Sequence, residues 1–326
     1  MARMTMVQAI NLALRQEMEH DDSIVVLGED VGVAGGVFRV TDGLLEAFGE
    51  RRVIDTPLAE SAIVGTSIGM AVYGLKPVCE IQFSGFSYMA LHQLENHVAR
   101  MRWRSRGRYH VPMVLRAPYG AGVRALEHHS ESREVYYAHT PGLKMVIPST
   151  PRKARALLLS AIRDPDPVVF FEPKAVYRAF REKVPEAEET WPLGKAHVVR
   201  EGQELTLLAY GAMLRPALRA ADILHEEDGV EAEVIDLLTL SPLDHDTFVA
   251  SVRKTGRAVT VHEAPRSFGP AAEIVARLVE KTFWYLEAPV RRVTGFDTVV
   301  PLFAYEQAYL PSPQGIVHAA RETLNA

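Results

Sequence analysis

The sequence predicts an α/β protein built from two parallel or mostly parallel three-layer domains, and three observations carry that prediction. Short β-branched runs alternate with helix-length segments along nearly the whole chain, from IVVLGED through LKMVIPS, TPRKARALLLSAIR and PVVFFEP to LTLLAYG, VEAEVIDL and AVTVHEA. These strand runs are largely apolar throughout, which marks parallel sheets covered by helices on both faces. The rhythm breaks once, at Arg181 to Gly194 (REKVPEAEETWPLG), with two prolines and six charged residues in its first nine. That segment reads as a linker, dividing the 326 residues into 1–185 and 186–326.

The elements follow in order. Thr5 with Gln8 three residues on is a capping box, and Val7, Ile10, Leu14 and Met18 recur at helical spacing, so a helix runs to about His20. IVVLG is a strand stopped by Gly28, which leaves Glu29 and Asp30 at its carboxyl end. GVAGGVF turns the chain; with neither GK[ST] nor GxGxxG it is a poor phosphate cradle. A short helix over Thr41 to Phe48, a helix over Leu58 to Leu75 and a strand over Pro77 to Phe83 come next. His92 to Trp103 is read as helical and Pro112 to Ala117 as a strand. After the linker, helices are expected over Ala212 to Glu227, His245 to Thr255 and Pro270 to Lys281, and RRVTGF as a last strand. Neither half shows a fixed-period repeat or a low-complexity tract.

Composition narrows the function. A net charge of -5 provides no general attraction to nucleic acid or anionic membrane. The basic run Arg100 to Arg108 is isolated in an acidic chain and is read as a solvated helix end and interface rather than an RNA patch. Cys79 is the single cysteine, so no disulfide framework and no multi-thiolate metal site can form within the chain. The expected compartment is the reducing cytoplasm. Glu17, Glu19, Asp21 and Asp22 in the first helical pattern argue against a secretory signal or transit peptide, and no long uncharged run points to a membrane span.

The stretch from Asp55 to Phe86 is the most unusual. From Leu58 to Leu75 it is nearly all apolar or small, so a helix there is expected to be buried on every face, with one carboxylate, Glu60, inside it. An ionised acid in that setting needs a partner or a raised pKa, and a ligand nitrogen could be that partner. The alternative is a plain core helix with Glu60 in its solvated first turn, where the macrodipole favours an acid. Gly65, Thr66, Ser67, Gly69, Ala71 and Gly74 are weak helix formers that permit close approach of another backbone.

In parallel sheets, function gathers in loops beyond the carboxyl ends of strands. Four such loops stand out here: Glu29 and Asp30, Gln82 to Phe86, Tyr119 to Ser132, and Glu172 to Arg178. The third carries adjacent His128 and His129, suited to proton transfer at neutral pH. HHSE is not the HExxH zinc motif, and Ser130 lacks a GxSxG elbow, which disfavours a metalloprotease and a serine hydrolase. The remaining histidines, such as His197, His225, His245 and His318, are read as structural.

Taken together, GEDVGxxGGVF, DTPLAESAIVG, GLKPVCEIQF, the HHSES loop, HTPGLKMVIPSTP, DPVVFFEPKAVYR and KTGRAVTVHEA closely resemble the beta subunit of the thiamine-diphosphate-dependent 2-oxo acid dehydrogenases. The resemblance spans nearly the whole chain in order. It implies a pyrimidine-binding domain followed by a transketolase C-terminal-like domain, oxidative decarboxylation of a 2-oxo acid, and reductive acylation of a lipoyl domain. Carried over by position, Glu60 matches the glutamate that hydrogen-bonds the aminopyrimidine ring, in line with a buried acid seeking a proton. Glu29, Leu58, Gln82 and Phe86 fall at cofactor-binding positions, Phe86 where some members have tyrosine. His129 matches the histidine assigned to proton transfer and to receiving the lipoyl arm, with His128 its neighbour.

The family's diphosphate is held through magnesium by GDG followed about two dozen residues later by Asn, a set of hard oxygen ligands. This chain has only Asn11, Asn96 and Asn325, and Asp42-Gly43 has no Asn at that distance. The resemblance therefore implies half a site, completed by an alpha subunit in an α2β2 heterotetramer that delivers acyl groups to a lipoyl acyltransferase core. In some members backbone carbonyls bind potassium, and Val111, Met113, Ala161, Asp164 and Asp166 stand at those positions. FFEPKAVYR leans toward branched-chain members; a pyruvate or acetoin dehydrogenase is the alternative. A nicotinamide-dependent oxidoreductase is disfavoured by the missing glycine fingerprint. A catalytically silent assembly subunit is disfavoured by the presence of Glu60 and His129.

Overall fold

The first helix, Met6–His20, starts where the capping box places it: Thr5 N–H donates to Gln8 Oε1 at 3.1 Å and Gln8 N–H to Thr5 Oγ1 at 3.4 Å. The computed structural model describes residues 2–326, which divide into two units, one of residues up to 119 with 136–193, the other of 120–135 with 194–326.

In the first unit six parallel strands stand in the order Lys144–Val146, Val168–Pro173, Val114–Tyr119, Lys76–Glu80, Ile24–Gly28, Val53–Asp55. The middle strands are buried along their length, as unbroken apolar runs require. One charge cluster crosses them. Arg116 donates from Nε to Glu172 Oε1 at 2.7 Å and from Nη1 to Glu80 Oε2 at 2.8 Å, all three side chains being buried. Tyr177 Oη adds a bond to Glu172 Oε2 at 2.6 Å. Removing one member of such a set leaves a buried unpaired charge, at a cost of about 3–5 kcal/mol. Helix Pro151–Arg163 packs on Met6–His20, tied by Arg155 to Gln16 and Arg163 to Glu17 at 3.0 Å.

The second unit holds four parallel strands, Arg291–Thr294, Ala258–His262, Leu205–Ala209 and Ala232–Asp236, with His197–Arg200 antiparallel at the edge. Helix His245–Thr255 has the bounds read from the sequence. Asp244 caps it, Gly256 ends it in the left-handed region, and Ser251 and Thr255 hydroxyls meet Thr206 at 2.7 Å. Helices Leu214–Asp228, Pro270–Thr282 and Pro313–Leu324 complete the layers.

Several expectations are corrected. The stretch read as helix from Leu58 forms Glu60–Val72, and it is not buried all round, since Ala62, Gly65, Thr66, Gly69 and Val72 are exposed along one stripe. The strand read as Pro77 to Phe83 is Lys76–Glu80, because the chain turns at Gln82 into a 3₁₀ segment, Ser84–Ala90. His92 to Trp103 is interrupted by a wide turn over Leu94–Val98. The short helix begins only at Leu44, where Gly43 in the left-handed region reorients the chain. The linker stretch contains a strand, Glu182–Val184, antiparallel to Ala2–Met4, and Trp191 N–H then bonds Ala156 O at 3.3 Å. Its charges mark a surface strap, held by Arg155 and Arg163, rather than a free tether.

Candidate functional site

In the first unit the loops at the carboxyl ends of Ile24–Gly28 and Lys76–Glu80 meet the start of helix Glu60–Val72. Glu60 is the first residue of that helix and is only 7% exposed, so the first-turn placement and the burial are both realised. Ser61 Oγ donates to Met89 O, holding the helix start against the 3₁₀ segment. Glu29 is buried beside it, and its Oε1 has no hydrogen-bond partner among the described residues. Burial pushes the Glu29 carboxyl above its ordinary value, and the nearby Glu60 and Asp30 carboxylates push it further. Two acids close enough to sense one another, one of them with an unmet polar atom, are matched to a ligand that brings hydrogen-bonding nitrogens.

Around them, Gln82 Nε2 donates to Asp30 Oδ2 at 2.9 Å, with Asp30 itself at φ 58°. Phe86 meets Phe83 edge-on at 5.9 Å, Phe83 meets Phe38 at 5.7 Å, and Phe38 meets Tyr177 at 5.1 Å. This aromatic wall brings in the loop after Val168–Pro173, through Lys174 Nζ 5.7 Å from the Phe83 ring and Arg178 Nη2 bonded to Phe38 O at 2.7 Å. Leu58 is 78% exposed, ahead of the helix rather than within it. Sequence reasoning missed Phe38, since a lone aromatic after a glycine-rich loop carries no spacing signal.

The imidazole loop belongs to the second unit. Gly120 N–H bonds Glu131 O at 3.1 Å, closing the loop at its base. A 3₁₀ turn, Glu127–His129, carries both histidines, with His129 N–H bonded to Leu126 O at 3.0 Å. The two rings lie 4.3 Å apart and tilted by 48°, and both are partly exposed. His128 Nδ1 is 3.5 Å from Glu127 Oε1. Ser130 is fully buried, unlike an accessible nucleophile.

The carbonyls of Val111, Met113 and Ala161 each accept one main-chain N–H, from Met113, Val168 and Asp164. Each keeps a second lone pair, but the Asp164 and Asp166 carboxylates are engaged by Lys144 at 2.6 Å and Arg102 at 2.8 Å. Among the described residues one His and acid group lies close enough to share a metal, Glu17, His20 and Glu188, and Arg163 already bridges its two carboxylates. Cys79 is buried, its thiol pushed up to about 12, and is inert.

Two domain families match this chain: the transketolase pyrimidine-binding domain over residues 2–179 and the transketolase C-terminal domain over 194–316. A solved structure described as a split-gene transketolase, inactive beta4 tetramer, superposes with a TM-score of 0.80 over 99% of both chains, at 22% identity, and speaks to the fold alone. Fold and domains thus define a protein of the transketolase-like, thiamine-diphosphate-dependent class. Similarity to curated proteins is closer. The pyruvate dehydrogenase E1 component subunit beta of Acholeplasma laidlawii is 52% identical over 100% of this chain and 99% of its own. That of Bacillus subtilis (strain 168) is 52% identical over 99% of each. The chain belongs to the family of E1 beta subunits of the 2-oxo acid dehydrogenases.

Proposed function

We propose that this chain is the beta half of a pyruvate dehydrogenase E1, acting with an alpha subunit in an α2β2 assembly and passing acyl groups to a lipoyl acyltransferase core. Buried Glu60 at a helix start beside Glu29 carries the reading, because it is a fitted receptor for a nitrogen heterocycle. Thiamine diphosphate, when bound, supplies the nucleophilic carbon and electron sink for decarboxylation. With the cofactor bound, Glu60 would meet the pyrimidine ring nitrogen, Glu29 would contribute an acid kept toward its neutral form, and Gln82, Phe86 and Leu58 would orient and cover the ring. His129 moves a proton at the reacting end and meets the incoming lipoyl arm, with His128 beside it.

Pyruvate is favoured over a branched-chain substrate: the leaning of FFEPKAVYR toward the branched-chain members finds no support in the relatives, which are described as pyruvate dehydrogenase subunits. Magnesium is assigned to the alpha subunit, since none of Asn11, Asn96 and Asn325 follows Asp42-Gly43 at the spacing of the magnesium pattern. Potassium at the Val111, Met113, Ala161, Asp164 and Asp166 carbonyls is supported only by the second lone pairs of the first three. With an alpha subunit present, Glu60→Gln and His129→Ala are each expected to lower overall turnover by roughly 100-fold or more without loss of assembly. Turnover of pyruvate against 3-methyl-2-oxobutanoate decides the substrate. Near wild-type turnover in either variant would overturn that residue's role.

A further inference from the structure

The imidazole loop is gripped by two buried carboxylates that come from far along the chain. Glu263 follows strand Ala258–His262, and its Oε2 accepts the Ala121 N–H at 2.8 Å. Glu306 opens the short helix Glu306–Tyr309 and is completely buried; its Oε1 and Oε2 accept the Arg124 N–H at 3.1 and 2.9 Å. Both acids are spent on backbone donors of one loop, in a unit where most carboxylates face water or a cation. The loop is shaped to receive them. Gly120 has φ 79°, and a Cβ there would stand 2.6 Å from Glu263 Oε1, so only glycine admits the carboxylate. Arg124 has φ 56°, a left-handed conformation costly for a residue with a side chain, and its N–H is the one Glu306 holds. Ala121 packs with Val300, Tyr309 and Leu310, which seals the contact from water. Leu126, two residues beyond Arg124, is the acceptor of the His129 N–H, so the grip ends where the histidine turn begins.

We propose that Glu263 and Glu306 are positioning residues that fix the His128–His129 turn by holding the Ala121 and Arg124 amides. The consequence for turnover rests on the proton-transfer role given above to His129; the mechanical claim does not. The test uses the full-length chain, alone and with an alpha subunit, as Glu306→Ala, Glu306→Gln and Glu263→Gln. Amide hydrogen exchange is read in peptides covering 120–133, with strand Leu205–Ala209 as the folding control. Expected is roughly ten-fold faster loop exchange in Glu306→Ala with the strand unchanged, and a smaller effect in the glutamine variants, which keep one acceptor oxygen. In the assembled enzyme kcat falls in the same order, with KM for the 2-oxo acid unchanged. Unchanged loop exchange overturns the proposal, as does loss of strand protection in parallel with the loop in all three variants. Faster loop exchange with undiminished kcat upholds the grip and overturns the role of His129.

Discussion

Glu29 shows how a single buried acid can cost the folded chain stability. Its carboxyl is held above the ordinary value of 4.5 first by burial and then by Glu60 and Asp30. An acid whose folded-state pKa is raised binds its proton more tightly in the folded chain. It therefore costs stability as pH climbs from the unfolded value through the folded one, and costs nothing below both. Glu29→Gln removes that penalty and is expected to raise the melting temperature of the ligand-free chain by about 1–3 °C near neutral pH. The gain should vanish below about pH 4, where both carboxyl states are protonated. Thermal unfolding across that range checks it, and a gain that persists in acid would point to packing instead. The burial of Glu60 was legible in the sequence because the acid stands in an almost wholly apolar run. Glu263 sits at the carboxyl end of a parallel strand, where the same loop rule applies, but an acid beside a histidine is ordinary surface composition. Glu306, in FAYEQ, had no signal at all.

At the scale of elements, local chemistry was enough where a cap or a breaker stood in the right place. Thr5 and Gln8 fixed one helix start, Asp244 and Gly256 both ends of another. Composition misled where small and apolar residues were read as a sign of burial on every face. Helix Glu60–Val72 is rich in small and apolar residues on all sides, yet Gly65 and Gly69 have nothing within 4 Å of an added Cβ. In a free helix each glycine costs about 1 kcal/mol relative to alanine, so Gly65→Ala and Gly69→Ala should each stabilise the chain alone by about that amount in urea unfolding. A stripe of small residues that leaves helix stability unclaimed makes sense if another backbone packs on it. The double variant should then weaken assembly with the alpha subunit while the lone chain gains stability. Gain in both would remove the stripe from the interface.

The whole molecule presents more apolar surface than a solitary chain needs. Tyr73, Trp103, Phe268 and Trp284 are each more than 80% exposed, and Phe296, Val299, Phe303 and Tyr305 are exposed along one short segment. Scattered single side chains mean little, but a run of this kind marks surface meant to be covered. The acids and aromatics proposed to meet a heterocycle lie in the first unit, whereas no GDG and Asn pattern for a magnesium-bound diphosphate appears in the sequence. A diphosphate carries most of the charge of thiamine diphosphate, so the ring contacts of this chain alone should bind it weakly. The dissociation constant of thiamine diphosphate with magnesium is expected to be roughly 100-fold or more higher for the isolated chain than for the complex with an alpha subunit. Glu60→Gln should raise it in the complex and change little in the isolated chain, because the ring contact adds to binding only after the diphosphate is anchored. Calorimetric titration of both preparations separates these outcomes, and tight binding by the lone chain would show that the phosphate grip lies within these 326 residues after all.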